Sequence, residues 1–349
     1  MFVARLLTFW ILHVGVILVT GVAGFIGSAT ALALQASGHR VIGVDSINNY
    51  YSQDLKKARL ARLNCLANFV FHQLDIIDYD TVADLFTANQ DITHIIHLAA
   101  QPGVRYSLEN PLAYLHANVI GHGNIMQAAR SLAHLQRAVY ASSSSIYGMG
   151  RDLPLSTEQE LKPPKSLYAA TKMSNELISQ TFADLHGLPL VGLRFFTVYG
   201  PWGRPDMAPS LFSRAILAGD TIKVFNNGDM RRDFTYIDDA VVGILGATFK
   251  PLPDQPVSHW LYNLGNDRAE PLMQLIELLE ACYGRQADKV FLPMQPGDVQ
   301  ETWADIDAAR QDLGFSPQTR LADGIPQFCA WYQRYHQSQR TGGTTVAPC

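Results

Sequence analysis

An α/β fold built on a doubly wound parallel sheet, with a smaller C-terminal substrate domain, is what the sequence predicts, and three observations predict it. Residues 17–28, ILVTGVAGFIGS, run from a β-branched apolar stretch through three glycines into an apolar helical stretch. A GxxGxxG junction of strand, turn and helix cradles a pyrophosphate. Gly21 takes the positive φ of a tight turn, Gly24 lets backbone amides approach, and Gly27 lets the helix pack closely on the strand. The helix N-terminus adds N–H groups and a partial positive charge. Second, short apolar runs alternate with amphipathic helical stretches as far as Pro201, the β-α repetition of a Rossmann-type sheet. Third, that rhythm loosens afterwards into PWGRPDMAPS, which marks a second unit closing over the cleft.

The elements follow in order. The apolar stretch 1–15 is expected to be an N-terminal extension: Arg5 and His13 interrupt it as a membrane span, and lengthening it would consume the strand that carries the cradle. The first helix ends at Gly38, and RVIGVDS brings a second strand to Asp45, 24 residues beyond Gly21. A carboxylate there accepts hydrogen bonds from an adenosine ribose and repels a 2′-phosphate, so NAD is preferred over NADP. FVFHQLDI (69–76) and THIIHLAA (93–100) are further strands around a helical segment at 81–87. Doubly wound sheets bind ligands at the carboxyl ends of their strands. Asp75 and Ile76 therefore stand where adenine rests, and Leu98, Ala99 and Ala100 where the pyrophosphate and nicotinamide ribose pass. A helix over about 112–133, the strand RAVYASSSSIYG (137–148), a proline-bearing loop, a helix from Leu167 and the strand VGLRFFTVYGP (191–201) complete the series. The cofactor domain is set at 16–198 with 237–266 returning to it, the substrate domain at 199–236 and 267–337, and a disordered tail at 338–349.

Composition narrows the function. Among 349 residues, 48% apolar and 17% charged, a net charge of −4 offers no general attraction to nucleic acid or an anionic membrane, so neither partner is expected. Any anionic substrate must meet local arginines. Four scattered cysteines without CxxC spacing point to reduced thiols and a cytoplasmic setting, and eleven histidines without ligand spacing point to no metal.

Tyr168-Ala-Ala-Thr-Lys172, twenty-odd residues after the SSSS run at 142–145, carries the chemistry. On a helix, positions four apart share a face, so the Lys172 ammonium can lie beside the Tyr168 ring and a cofactor ribose. A neighbouring cation lowers a phenol's pKa toward neutrality and makes it a usable base.

GxxGFIG, HLAA, SSSSIYG, SLYAATK, RFFTVYGP and RRDFTYIDD together resemble the nucleotide-sugar epimerases of the extended short-chain dehydrogenase/reductase superfamily. GPWGRPDM, NNGDMRRDFTYIDD and QPGDVQETWAD resemble the UDP-glucuronate 4-epimerases among them. The resemblance implies that Tyr168 is the base, that Lys172 orients it and the ribose, and that Ser143 or Ser145 bonds the sugar 4-hydroxyl. The cofactor set it implies is Gly21, Gly24, Phe25, Ile26, Gly27, Asp45, Asn48, Asp75, Ile76, Leu98, Ala99, Ala100, Asn118, Phe195 and Val198 with Tyr168 and Lys172. For a UDP-sugar it implies Arg105, Thr197, Arg204, Arg232 and Asp298 beside the two serines, and a homodimer formed through the helices near 112–133 and 167–186. The implied reaction oxidises C4 with tightly held NAD, turns the keto sugar about its diphosphate and reduces it on the other face. The keto form of glucuronate is a β-keto acid, which loses CO₂ when its C5–C6 bond aligns with the carbonyl. Thr197 and Arg204 resemble the residues that prevent this, an arginine fork suiting a carboxylate.

A sugar 4,6-dehydratase would need an acid and a base directly after Ser143, where Ser144 and Ser145 stand. UDP-xylose synthase shares the first step and is told apart by CO₂ release, and epimerases of UDP-glucose or UDP-N-acetylglucosamine by the sugar that equilibrates. A non-catalytic NAD-binding scaffold would lack Tyr168 or Lys172, and a dissociable-cofactor reductase would exchange its nicotinamide.

Overall fold

The β-branched runs of the sequence lie side by side in a seven-stranded, wholly parallel sheet, seen in a computed structural model that describes residues 15–148, 153–255, 258–294 and 299–340. The strands are β1 (Val16–Thr20), β2 (Arg40–Asp45), β3 (Phe69–Gln73), β4 (Ile92–His97), β5 (Arg137–Ser143), β6 (Leu190–Phe195) and, later in the chain, His259–Leu264. Their order is 3-2-1-4-5-6 with the late strand beyond β6, so the chain reverses direction of travel between β1 and β4. A cleft opens at that switch point, outside the carboxyl ends of the strands.

Both faces of the sheet are covered, which is why the strands read as unbroken apolar runs rather than alternations. Ile17 and Val19 point to one face, with α1 (Phe25–Ala36) and α2 (Gln53–Asn64); Leu18 points to the other, with α3 (Tyr79–Ala88). The period of two along β1 thus splits the core into two layers. A short helix α4 (Tyr106–Glu109) precedes one helical stretch made of α5 (Pro111–Tyr114), a π-helical turn (Leu115–Ile120) and α6 (Gly121–Ala129). It lies beside α7 (Leu167–His186), which Ser166 caps by accepting from the Ala169 N–H at 3.1 Å.

The substrate-side unit is built from short pieces: β7 (Thr197–Tyr199), α8 (Ala208–Ala218), β8 (Ile222–Val224), β9 (Arg231–Arg232) and β10 (Phe234–Tyr236). The chain then goes back to the sheet through α9 (Ile237–Phe249), packed on α1, and β11 (His259–Leu264), which pairs with β6. It leaves again as β12 (Glu270–Pro271), α10 (Leu272–Tyr283), β13 (Lys289–Phe291), β14 (Glu301–Thr302), α11 (Asp307–Leu313) and α12 (Leu321–Arg340).

Several expectations need adjusting. The helix expected over 112–133 spans 111–129 and contains the π turn. Helices α2 and α12 were not expected. The latter buries Leu321, Ile325, Phe328 and Tyr332 at helical spacing and runs to Arg340, so the boundary set at 337 falls inside an element. Cys282 and Cys329 carry free thiols, but Cys65 is disulfide-bonded, against the reduced state expected for it. The stretch 1–14, the tail 341–349 and Asp298 lie outside the described residues. Among those residues no helix is long and apolar enough to cross a membrane, and no His, Cys, Asp or Glu group could hold a metal.

Candidate active site

At the switch point the turn after β1 is made by Gly21, whose φ of +74° no β-branched residue would tolerate and whose missing Cβ would lie 2.7 Å from the Ala99 nitrogen. Gly27 brings the first turn of α1 onto that loop, since a Cβ there would stand 2.1 Å from the Gly21 oxygen. No side chain caps α1, so the N–H groups of its first turn are left for another acceptor. At the end of β2 the two Asp45 oxygens accept from the N–H groups of Ala23 (3.0 Å) and Ile47 (2.8 Å), which leaves lone pairs for hydroxyl donors. Burial pushes this carboxyl up in pKa, against those two N–H groups and the nearby Lys56. Cradle, helix end and acid together fit an adenine dinucleotide.

From this cradle a continuous cavity of about 1790 Å³ extends to the substrate-side unit. A single small-molecule site typically takes roughly 300–1,000 Å³. The cavity has room for two ligands end to end. Gly21, Gly24, Phe25, Ile26, Gly27, Asp45, Asn48, Asp75, Ile76, Leu98, Ala99, Ala100, Phe195 and Val198 line it, as do Ser143, Ser145, Tyr168, Lys172, Arg105, Thr197, Arg204 and Arg232. Asn118 does not. Buried in the π turn, it accepts from the Gln101 N–H (2.7 Å) and donates to the Gln101 carbonyl (3.1 Å) and Thr171 Oγ1 (3.0 Å), so it fastens the strand-end loop instead of facing a ligand.

Tyr168 sits at the start of α7, partly buried, and lines the cavity wall together with Ser143. Burial pushes its phenol up in pKa, while the Ser143 hydroxyl and the Arg204 charge pull it down. The expected Lys172 effect on the phenol is not what the structure displays. The Lys172 ammonium donates to the Ala141 carbonyl at 2.8 Å, and burial pushes it down to about 8. The physical reason is the strand: the end of β5 offers that amine an acceptor beneath α7. Ser143 Oγ also accepts from the Ser145 N–H at 3.2 Å. Ser145 Oγ is buried in the cavity wall with no hydrogen-bond partner among the described residues, which marks it as a site for a ligand's polar group.

Arg204 pairs in fork fashion with Asp206, Nε to Oδ1 at 3.0 Å and Nη2 to Oδ2 at 2.5 Å, and the Tyr50 hydroxyl donates to the same carboxylate at 3.0 Å. The acid draws the guanidinium into place on the cavity wall. Arg105 lies over the Phe225 ring at 5.5 Å, and Arg232 Nη1 donates to the Arg231 and Gln300 carbonyls.

Sequence reasoning missed the buried network behind Tyr168. Glu176 accepts from Arg194 Nε (3.0 Å), Arg194 Nη2 (2.8 Å) and Ser142 Oγ (2.5 Å), and Arg194 Nη1 donates to the Tyr147 hydroxyl (3.0 Å). It ties α7 to β5 and β6. An arginine inside the apolar run VGLRFF was the available signal, because such a residue needs a buried partner.

Known proteins align with this arrangement. A profile of the NAD dependent epimerase/dehydratase family matches residues 17–265. UDP-glucuronate 4-epimerase 4 of Arabidopsis thaliana is 42% identical over 336 residues, 93% of this chain and 76% of that protein. Protein CapI of Staphylococcus aureus is 45% identical over 92% of this chain and 99% of its own length. UDP-glucuronic acid 4-epimerase from Bacillus cereus, solved in complex with UDP-glucuronic acid and NAD, superposes with a TM-score of 0.84 at 33% identity, covering 92% of this chain and 99% of that one.

Proposed function

The chain belongs to the NAD-dependent epimerase/dehydratase family, and on that premise we propose that it interconverts UDP-glucuronate and UDP-galacturonate through a 4-keto sugar while holding NAD throughout. The observation that carries this reading is one cavity lined by the dinucleotide cradle, the Tyr168–Ser143 pair and the Arg204 fork. The relatives at 42% identity and the Bacillus cereus structure support the uronate.

NAD, when bound, supplies the acceptance and return of hydride at the sugar C4. Tyr168 takes the O4 proton and later gives it back, so one phenol serves both half-reactions. Because burial holds that phenol up, its acidity depends on nearby charge, and Arg204 on the cavity wall is the cation that pulls it down. Ser143 steadies the phenolic oxygen, and the unpaired Ser145 hydroxyl meets the sugar. Arg204 and Thr197 pin the uronate carboxylate out of line with the keto group, which keeps CO₂ on the sugar. One observation favours the decarboxylating alternative: Asp206 already occupies the fork, so a substrate carboxylate must share it.

Proton NMR of the purified protein with UDP-glucuronate and no added cofactor tests the reading. Signals of UDP-galacturonate should grow to a steady ratio without CO₂ release. A UDP-pentose in their place would make the protein a decarboxylase, and no conversion without added nicotinamide would overturn the held cofactor.

The cofactor and substrate domains are proposed at 16–198 with 237–266, and at 199–236 with 267–340, the last bound moved to the end of α12. The enzyme is further proposed to act in the cytoplasm; the free thiols of the neighbouring Cys282 and Cys329 favour that setting and the disulfide at Cys65 counts against it. A homodimer is proposed through α7 and the 111–129 stretch, supported by exposed Leu112, Ile120, Leu177 and Leu185.

A further inference from the structure

Arg59 lies on α2, outside every motif, and is completely buried. Its five N–H donors make five hydrogen bonds: Nε and Nη2 to the Trp202 carbonyl (3.1 and 2.7 Å), Nη2 to Gly203 O (3.3 Å), Nη1 to Ala23 O (3.0 Å) and to the Tyr51 hydroxyl (2.6 Å). A buried arginine usually faces a carboxylate. This one holds backbone carbonyls from two distant loops. Ala23 belongs to the cofactor cradle, and Trp202 and Gly203 lead directly into Arg204.

The loop it grips needs gripping. Gly203 N–H donates to Gly200 O at 3.1 Å, closing a turn with Pro201 second and Trp202 third, and Trp202 has a φ of +67°. That turn form favours glycine or asparagine at its third position, and a tryptophan there is strained. The Trp202 ring packs on Trp331 and Tyr335 of α12 at 5.6 and 5.7 Å, with the Arg62 guanidinium 4.6 Å away, which explains why a large side chain stands there. Its carbonyl is then held by the Arg59 fork.

We propose that Arg59 is a positioning residue for the acid-sugar grip: by clamping the Trp202 turn onto the cofactor cradle it fixes where Arg204 meets the uronate. This rests on the function proposed above. Lysine cannot replace it, having three donors on a point charge where five fan out in a plane.

The test is Arg59→Lys compared with wild type, using bound NAD per subunit, thermal midpoint, calorimetric binding of UDP and of UDP-glucuronate, and product analysis. UDP lacks the acid sugar, so it reports general integrity. We expect UDP binding and bound NAD within about twofold of wild type, UDP-glucuronate binding weakened about tenfold or more, and a UDP-pentose among the products. An equal loss for UDP and UDP-glucuronate would reduce Arg59 to a structural role, and unchanged binding with unchanged products would remove it from the site. Should Arg59→Lys not fold, Tyr51→Phe, which removes one acceptor of the clamp, should shift binding and products in the same direction by a smaller factor, and no shift counts against the proposal. Wild type failing to convert UDP-glucuronate overturns the function itself; wild-type conversion with an unaltered variant overturns only the part assigned to Arg59.

Discussion

Tyr168 carries the chemistry with a single hydroxyl, and Tyr168→Phe removes that oxygen while leaving the ring between Tyr114 and the cavity. Loss of a positioned acid-base group typically lowers rate by about 10²–10⁴-fold. We expect kcat to fall by about that factor with bound NAD and substrate affinity retained, checked by NMR turnover and calorimetry; activity within tenfold of wild type would take Tyr168 out of the proton path. Tyr168 and Lys172 were legible because their spacing is that of one helix turn, a relation the sequence displays directly. Arg59 was not, since its partners Trp202 and Gly203 stand 143 and 144 positions away. Neither was the Tyr50 bond to Asp206, 156 positions apart. Arg204 was found, but its link to Asp206 decides how its charge is spent on the cavity, and only geometry reveals that. Asn118 came in by resemblance and turns out to bond backbone, which its side chain alone could not announce.

At the scale of elements, α7 must sit on β5 and β6 in one register for Tyr168 to reach Ser143, and the Glu176–Arg194 pair sets that register. Its side chains are only 8% and 3% exposed, so neither charge can turn to water when its partner is removed. Breaking one side of such a pair destabilises by roughly 3–5 kcal/mol, whereas replacing both by apolar groups is often near neutral. Arg194→Met should therefore lower unfolding free energy by about that much in urea titrations. Arg194→Met with Glu176→Leu should regain most of it, less the bonds from Ser142 and to Tyr147. Equal losses in the single and double variants would show that packing, not charge, holds the helix. The order of elements up to Pro201 was readable because strand and helix periods differ and both faces of the sheet demand apolar runs. Helix α2 escaped because its sequence QDLKKARLARLN carries few apolar residues, and its buried Lys56 and Arg59 are satisfied only by carbonyls, an amide oxygen and a phenol from other loops.

For the whole molecule, the apolar residues left outside both core layers matter. Leu177 and Leu185 are 68% and 67% exposed along one face of α7, and Leu112 and Ile120 are 60% and 49% exposed on the helical stretch beside it. The two helices touch through Asn175 and Asn118 and through Ser179 and His122, so their outer faces form one surface. Burying a leucine side chain stabilises by roughly 1.5–3 kcal/mol, and across a two-fold axis each residue is buried twice. A second copy of this chain presents a matching face, and an antiparallel pair of helix pairs would cover these residues. Sedimentation equilibrium should find a dimer at micromolar concentration, and Leu177→Glu with Leu185→Glu should shift it to monomer with the fold intact by circular dichroism, because two carboxylates would face their copies across the axis. If wild type sediments as a monomer up to about a hundred micromolar, or the double variant stays dimeric, the contact lies on another face. Because Tyr168 and Lys172 begin the same helix whose later turns carry Leu177 and Leu185, the monomeric variant also reports whether α7 keeps its register unaided: retained NAD and turnover would mean that the Glu176–Arg194 pair suffices.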